Sequence, residues 1–361
     1  MEKHRKTQLL LQDGTVYDGY SFGSDKSAAG EVVFNTSMTG YIESLTDPSY
    51  TGQILILTFP LIGNYGVPSE EKINSLKHYF ESDKIHIKGL IISNYSFDYS
   101  HWSAVKSLSD WLEQHDVPGI YAIDTRALTK KIRENGTMLG KIVNDVEPDF
   151  YNPDEHDLVK EVTTNEVEEF GSGSNRILLL DCGAKNNIVR CLLERDTTVI
   201  KVPYDYDYTG IKYDGIMVSN GPGNPKKCEV TINHLRKSLG EEKPIFGICL
   251  GNQLLGLASG ANTFKLKYGH RSHNQPVLNV ETNRAYITSQ NHGFAIDDES
   301  LGGNWKPLFT NLNDGTIEGI RHTSKPFFST QFHPEASSGP TDTEYLFDEF
   351  VDLVKMYKGV K

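Results

Sequence analysis

Two rhythms of apolar and polar positions divide this sequence. Up to about residue 165, short apolar runs alternate with stretches of helical period. Gln8–Gln12 and Thr15–Tyr20 flank Asp13-Gly14, a dipeptide suited to a tight hairpin turn. Ile54–Phe59 and Gly89–Ser93 read as further strands, and Ser103–His115 and Thr125–Asn135 as helices. Thr125 reads as the N-cap of the latter and Gly136 as its stop. The pattern predicts an N-terminal α/β domain over residues 1–165, and its periodicity alone carries no chemistry.

Glu166, Glu168 and Glu169 then lead into Gly171-Ser172-Gly173-Ser174. Charge followed by Gly and Ser predicts an exposed linker over residues 166–175. From 176 to 361 the rhythm changes. Ile177–Leu180, Thr198–Val202, Gly215–Ser219 and Pro244–Ile248 are almost wholly apolar, and the stretches Asn186–Arg195 and Glu229–Leu239 between them have helical period. Short apolar strands alternating with helices predict a mainly parallel open sheet flanked by helices, with ligands at the carboxyl ends of its strands.

Composition removes several function classes. A hydrophobic share of 37% and a charged share of 23% describe a globular chain, and 361 residues suit two domains. A net charge of −12 repels phosphate backbones and anionic membranes, so neither nucleic acid nor membrane is an expected partner. No apolar run approaches the roughly 20 residues that cross a bilayer. The basic start, Lys3 to Lys6, is too short for a signal peptide and reads as a frayed terminus. The four cysteines, Cys182, Cys191, Cys228 and Cys249, form no C-x-x-C pair, which fits a reducing cytoplasm. Three of them read as small buried thiols.

Cys249 is the exception. The strand Ile245–Ile248 runs into Gly247-Ile248-Cys249-Leu250-Gly251, followed by a predicted helix from Asn252 to Ala258. A nucleophile between two glycines at a strand-to-helix turn is the nucleophile-elbow pattern. The helix N-terminus favours thiolate over thiol and offers the Leu250 N–H to a developing oxyanion. Phe332-His333-Pro334-Glu335 supplies a base and, two residues on, a carboxylate able to fix its tautomer. Ser219-Asn220-Gly221-Pro222-Gly223-Asn224-Pro225 follows a strand and can present backbone N–H groups, although Gly-Pro-Gly is ordinarily a turn. Gln290-Asn291-His292-Gly293-Phe294 offers amide and backbone partners to a polar substrate, or is simply a tight loop.

Asn-Gly-Pro-Gly, then Gly-Ile-Cys-Leu-Gly-x-Gln, then His-Pro-Glu, in that order across Asn220–Glu335, resembles the class I (triad) glutamine amidotransferases. Gly30–Tyr50, Ile123–Gly136 and Gln290–Ala295 resemble the small subunits of carbamoyl-phosphate synthetase, and the resemblance runs from about Leu9 to Phe350. It implies a nucleophile at Cys249, a base at His333 and an orienting acid at Glu335. It implies oxyanion donors at Gly221 and Leu250, and a glutamine pocket built from Ser49, Gly221, Gly223, Leu250, Gln253, Asn291, Gly293 and Phe294, at an interface between the two domains. It also implies a large ATP-dependent partner subunit that takes ammonia through an internal tunnel and combines it with bicarbonate. ATP and magnesium belong to that partner, so no cofactor or metal is expected on this chain.

Two positions depart from the family. Asn252 stands where a histidine is usual, and Gly269-His270-Arg271-Ser272-His273-Asn274 replaces a glycine-rich stretch. His270 and His273 read as structural. The alternatives are the amidotransferase subunit of another synthase, a stand-alone γ-glutamyl cysteine hydrolase, and an inactive scaffold subunit.

Overall fold

The computed structural model describes residues 5–359, and the chain divides after His156 into two units. Among the described residues no helix is long and apolar enough to cross a membrane.

The first unit is built on a closed barrel. Its strands are β1 (Lys6–Leu11), β2 (Val16–Gly23), β3 (Ala28–Asn35), β4 (Gln53–Leu57), β5 (Gly89–Ile91), β6 (Pro118–Tyr121) and β7 (Met138–Val143). They close in the order β1-β7-β3-β4-β5-β6-β2. The predicted hairpin is present: β1 and β2 pair antiparallel, with Gly14 at φ 85 in the turn. Closure depends on backbone crowding that alternation does not reveal. A Cβ at Gly119 would lie 2.4 Å from the Phe22 ring, so only glycine lets that ring cross β6.

Besides the short helix Tyr41–Thr46, the helices α1 (Leu108–Gln114) and α2 (Thr125–Asn135) belong to this unit. The helix expected from Ser103 starts later. Ala104–Lys106 is instead a short strand paired with Val67–Pro68, and Ser107 caps α1 by accepting from the Asp110 N–H at 3.0 Å. In α2 the cap is Asp124 and not Thr125: its carboxylate accepts from the Ala127 N–H at 2.9 Å. Ser49 sits buried in a 3-10 turn, Pro48–Tyr50, and donates its N–H to Asp47 Oδ1 at 2.9 Å. Of the basic start, Lys3 and His4 lie outside the described residues. Lys6 opens β1 and Arg5 pairs with Asp25 at 2.6 Å, so this part is not frayed.

The second unit holds a ten-stranded sheet. Its strands are β8 (Glu168–Phe170), β9 (Asn175–Asp181), β10 (Thr197–Pro203), β11 (Gly215–Val218), β12 (Ile245–Ile248), β13 (Thr263–Asn279), β14 (Arg284–Ile296), β15 (Trp305–Asn311), β16 (Ile317–His322) and β17 (Phe327–Thr330). The order is β8-β10-β9-β11-β12-β17-β16-β15-β13-β14. From β10 to β17 all neighbours are parallel, as the continuous apolar runs require. The helices α3 (Asn186–Leu193), α4 (Glu229–Ser238), α5 (Leu250–Ser259) and α6 (Tyr345–Lys358) belong to the same unit. The core gathers Leu178, Leu180, Val202, Val218, Leu254 and Phe327.

The expected linker over 166–175 is a correction. Glu168–Phe170 pairs antiparallel with β10, and Glu168 contacts Lys201 at 3.1 Å. The glycines serve close approach: a Cβ at Gly173 would lie 2.2 Å from the Asp196 backbone. The antiparallel half, β16-β15-β13-β14, is also absent from the sequence reading. There Gln290–Phe294 is a stretch of β14 and not a tight loop, with Asn291 opposite Arg271 and His292 opposite His270.

Candidate active site

Four neighbouring parallel strands deliver the chemical residues. In the order β9-β11-β12-β17, the segments after each strand carry Lys185, Ser219–Gly223, Cys249 and His333–Glu335. Strands about 4.8 Å apart place such segments side by side without any long side chain having to reach. β14 returns beside the last of them, where the His333 N–H donates to the Ser289 carbonyl at 2.9 Å.

Cys249 is buried and has φ 54, ψ −102, a backbone conformation outside the left-handed helical well. Its neighbours enforce this. The Cys249 N–H is held by the Thr330 carbonyl at 2.8 Å, while its own carbonyl accepts from Asn252 N–H at 3.1 Å at the start of α5. A Cβ at Gly251 would meet the Val218 carbonyl oxygen at 2.2 Å, and one at Gly247 would meet Gly251 O at 2.5 Å. Glycine at both places is therefore a condition of the turn. The thiol points at the Asn291 carbonyl, 3.6 Å away. The helix begins at Leu250, two residues before the expected start.

Gly221 is fixed equally tightly. A Cβ there would lie 2.0 Å from the Cys182 carbonyl oxygen and 2.8 Å from Leu250 Cδ2, so Gly221 packs directly against the Leu250 side chain. Ser219 Oγ accepts from the Cys182 N–H at 2.9 Å and donates to the Asn220 carbonyl at 2.8 Å. Gly223 takes φ 83, which explains the second glycine of Asn-Gly-Pro-Gly.

His333 and Glu335 are both buried, with Nδ1 and Oε1 2.6 Å apart. Burial disfavours the imidazolium, but the charge of Glu335, opposed by Lys185 and helped by Cys249, pushes His333 up to about 10. Cys249 and His333 follow the paired strands β12 and β17, and the Cys249 N–H is held by the carbonyl of Thr330, three residues before His333. Burial likewise disfavours the Glu335 carboxylate, yet Lys185 and His333 hold it at about 2.

Lys185 was not among the residues expected here. It is buried, its Nζ lies 3.1 Å from Glu335 Oε1 and donates to the Ala336 carbonyl at 2.7 Å. Asn187 Nδ2 also donates to the Glu335 carbonyl. Lys185 could have been found by its place, four residues past the end of β9, where the strand-end rule applies. Cys182, Cys191 and Cys228 are free and buried, and burial raises all three.

The other expected positions tie α5 to β14. Gln253 Nε2 donates to the Phe294 carbonyl at 2.9 Å and to Gln331 Oε1 at 3.1 Å. Gly293 leaves room for Arg271, whose Nη2 would be 3.3 Å from a Cβ there. Asn252, the departure from the family pattern, is fully buried: it donates to Gln331 Oε1 at 2.9 Å and accepts from Ser329 Oγ at 2.8 Å. The asparagine thus has a partner at each end of its amide.

Residues 9–142 match the carbamoyl-phosphate synthase small chain, CPSase domain, and residues 178–353 match glutamine amidotransferase class-I. The carbamoyl phosphate synthase arginine-specific small chain of Saccharomyces cerevisiae is 50% identical over 98% of this chain and 90% of its own length. Multifunctional protein pyr1-3 of Dictyostelium discoideum is 51% identical over 97% of this chain, which spans only 17% of that protein. The mitochondrial carbamoyl-phosphate synthase (ammonia) of Rattus norvegicus is 50% identical over 99% of this chain, which spans 24% of it. With a small-chain relative matched nearly end to end, this chain belongs to the carbamoyl-phosphate synthase small-chain family and carries a class I glutamine amidotransferase domain.

Proposed function

We propose that the chain hydrolyses L-glutamine to glutamate and ammonia and supplies the ammonia to carbamoyl phosphate synthesis. The observation that carries this reading is Cys249 in a strained elbow beside a buried His333–Glu335 pair at 2.6 Å. Cys249 Sγ attacks the side-chain carboxamide carbon of glutamine. The tetrahedral oxyanion accepts from the Gly221 and Leu250 N–H groups, a contribution on the order of 3 kcal/mol per donor in comparable hydrolases. His333, held high in its titration by Glu335, carries the proton that departing ammonia needs. Collapse breaks the C–N bond and leaves a γ-glutamyl thioester. Water, deprotonated by His333, then adds to the thioester carbon and expels the sulfur, giving glutamate.

Ser49, Gly221, Gly223, Leu250, Gln253, Asn291, Gly293 and Phe294 are the proposed glutamine contacts. In this reading a large subunit, in the same cytoplasm, binds ATP and magnesium and joins the ammonia to bicarbonate. Its product feeds arginine or pyrimidine biosynthesis, and the yeast relative's arginine-specific name supports the first.

A second reading, an inactive scaffold, draws on Asn252 in place of the usual histidine and on the rat relative named for ammonia. Glutamate release by the purified chain, alone and with a large subunit, ATP and bicarbonate, separates the two. Stimulated release, lost in Cys249→Ser while synthesis from free ammonia persists, is the expected result. No glutamate under either condition overturns the first reading in favour of the scaffold.

A further inference from the structure

The antiparallel half of the second unit's sheet buries a set of ionisable side chains that glutamine hydrolysis does not use. Glu318 on β16 is fully buried, and His270 on β13 and His292 on β14 nearly so. One nitrogen from each imidazole and one carboxylate oxygen lie within 4.8 Å of one another.

Hydrogen bonds decide where the lone pairs point. His292 Nδ1 lies 2.8 Å from the Phe294 carbonyl, which only accepts, so that nitrogen carries the hydrogen and the neutral ring's lone pair is on Nε2. Nε2 faces two more oxygens, Gln290 Oε1 at 3.2 Å and Glu318 Oε1 at 3.8 Å. The Gln290 amide is fixed in this sense: its Nε2 donates to Thr288 Oγ1 at 3.1 Å, and that hydroxyl has given its own hydrogen to the Gln275 carbonyl at 2.9 Å. His270 repeats the arrangement, with Nε2 2.9 Å from Asp314 Oδ2 and Nδ1 3.2 Å from Glu318 Oε1.

Asn311 Nδ2 supplies a donor, 3.0 Å from Glu318 Oε1 and 3.4 Å from His270 Nδ1. Glu318 Oε2 is buried with no hydrogen-bond partner among the described residues. Imidazole nitrogens, a carboxylate and an amide oxygen therefore converge, and such groups repel one another unless a cation or shared protons lie between them. Behind the rings stand a carboxylate for His270 and a backbone carbonyl for His292, the outer partners that orient metal-binding histidines.

We propose that His270, His292, Glu318 and Gln290 form a structural site for one divalent cation of the zinc class. Two nitrogens and two oxygens suit that ion's four-coordinate preference. Spacing along the chain gave His270 no metal context because its partners come from other strands of the sheet. Asp314, whose side chain is 40% exposed, marks the side from which an ion enters. The ion would pin residues 290–294 of β14, whose Asn291 carbonyl faces the Cys249 thiol.

The test measures metal alone, so its failure leaves the proposed glutaminase reading standing. The full chain is stripped with EDTA, loaded with Zn2+, dialysed and analysed by mass spectrometry for metal content. Wild type and Cys249→Ser are expected to retain about one zinc per chain, and Glu318→Gln less than about a tenth of that. Asp314→Asn, at a half-exposed position that leaves the core intact, is expected to weaken zinc affinity about 10- to 100-fold. Failure of the wild type to retain zinc overturns the proposal and leaves the cluster held by shared protons. Loss of zinc in Cys249→Ser, or wild-type affinity in both Glu318→Gln and Asp314→Asn, also overturns it.

Discussion

Two buried glutamates of the second unit each face histidine, and their surroundings drive them in opposite directions. Burial raises Glu335 and Glu318 alike. Glu335 has Lys185 at 3.1 Å in addition to His333, and is held at about 2. Glu318 faces His270, His292 and the Asn311 amide instead, and burial pushes its carboxyl up. The lesson is that an acid–histidine pair does not define its own charge state. A third group does, and here that group comes from the segment after β9, a parallel strand of the same sheet.

The most severe way to break this contrast is Glu335→Gln, which keeps the shape and removes the charge. The expected loss in kcat is about 10^3- to 10^4-fold, the scale on which orienting acids act in comparable triads. NMR titration of the His333 ring should move down from about 10 at the same time. An unmoved ring with little rate loss would show that Glu335 is a bystander.

Gly251→Ala comes next, because its Cβ would lie 2.2 Å from the Val218 carbonyl oxygen and displace the elbow. A loss of about 10^2-fold in kcat is expected from misplacing the nucleophile by an ångström. Steady-state assay of folded protein checks it, and near-normal turnover would mean that the strained turn is dispensable.

Lys185→Met sharpens the comparison by making the surroundings of Glu335 more like those of Glu318. With Lys185 present the Glu335 carboxyl sits near 2, below the ordinary 4.5, so its contribution is full above the unfolded value and fades as pH falls through about 2. Without the lysine that fading moves to higher pH. The acid-unfolding midpoint should rise, with an upward change of about one to three units in the Glu335 titration. An unchanged acid midpoint would argue that Lys185 only fills space.

The smallest effect is expected at Asn252, whose amide has partners at both ends in Ser329 and Gln331. Asn252→Ala strands those buried groups at a cost of about 1–3 kcal/mol. Urea unfolding reads this directly, and a change within a few tenths would show the network to be slack.

Much of this was visible in the residues. Continuous apolar runs identified four of the five central parallel strands except for a residue or two at their ends, because strands buried on both faces have no alternation to blur. Cys249, His333 and Glu335 were visible because the elbow glycines and the short His-x-Glu spacing are local signals. Lys185 escaped because its function depends on Glu335, far away in sequence and brought within 3.1 Å only by the folded chain. The barrel of the first unit was hidden for the same reason: its seven strands close through pairings such as β1 with β7, which no local pattern records. Residues 166–175 misled because Gly and Ser look alike in composition whether they loosen a chain or let two backbones touch.

That last stretch has a practical consequence for anyone dissecting the molecule. A truncation starting at residue 176, where composition invites the cut, removes Glu168–Phe170 from the outer side of Thr197–Pro203. The bared edge would carry unpaired N–H and C=O groups along a row of Thr and Val residues, an invitation to intermolecular strand pairing and precipitation. Starting at Asp157 keeps that guard strand in place.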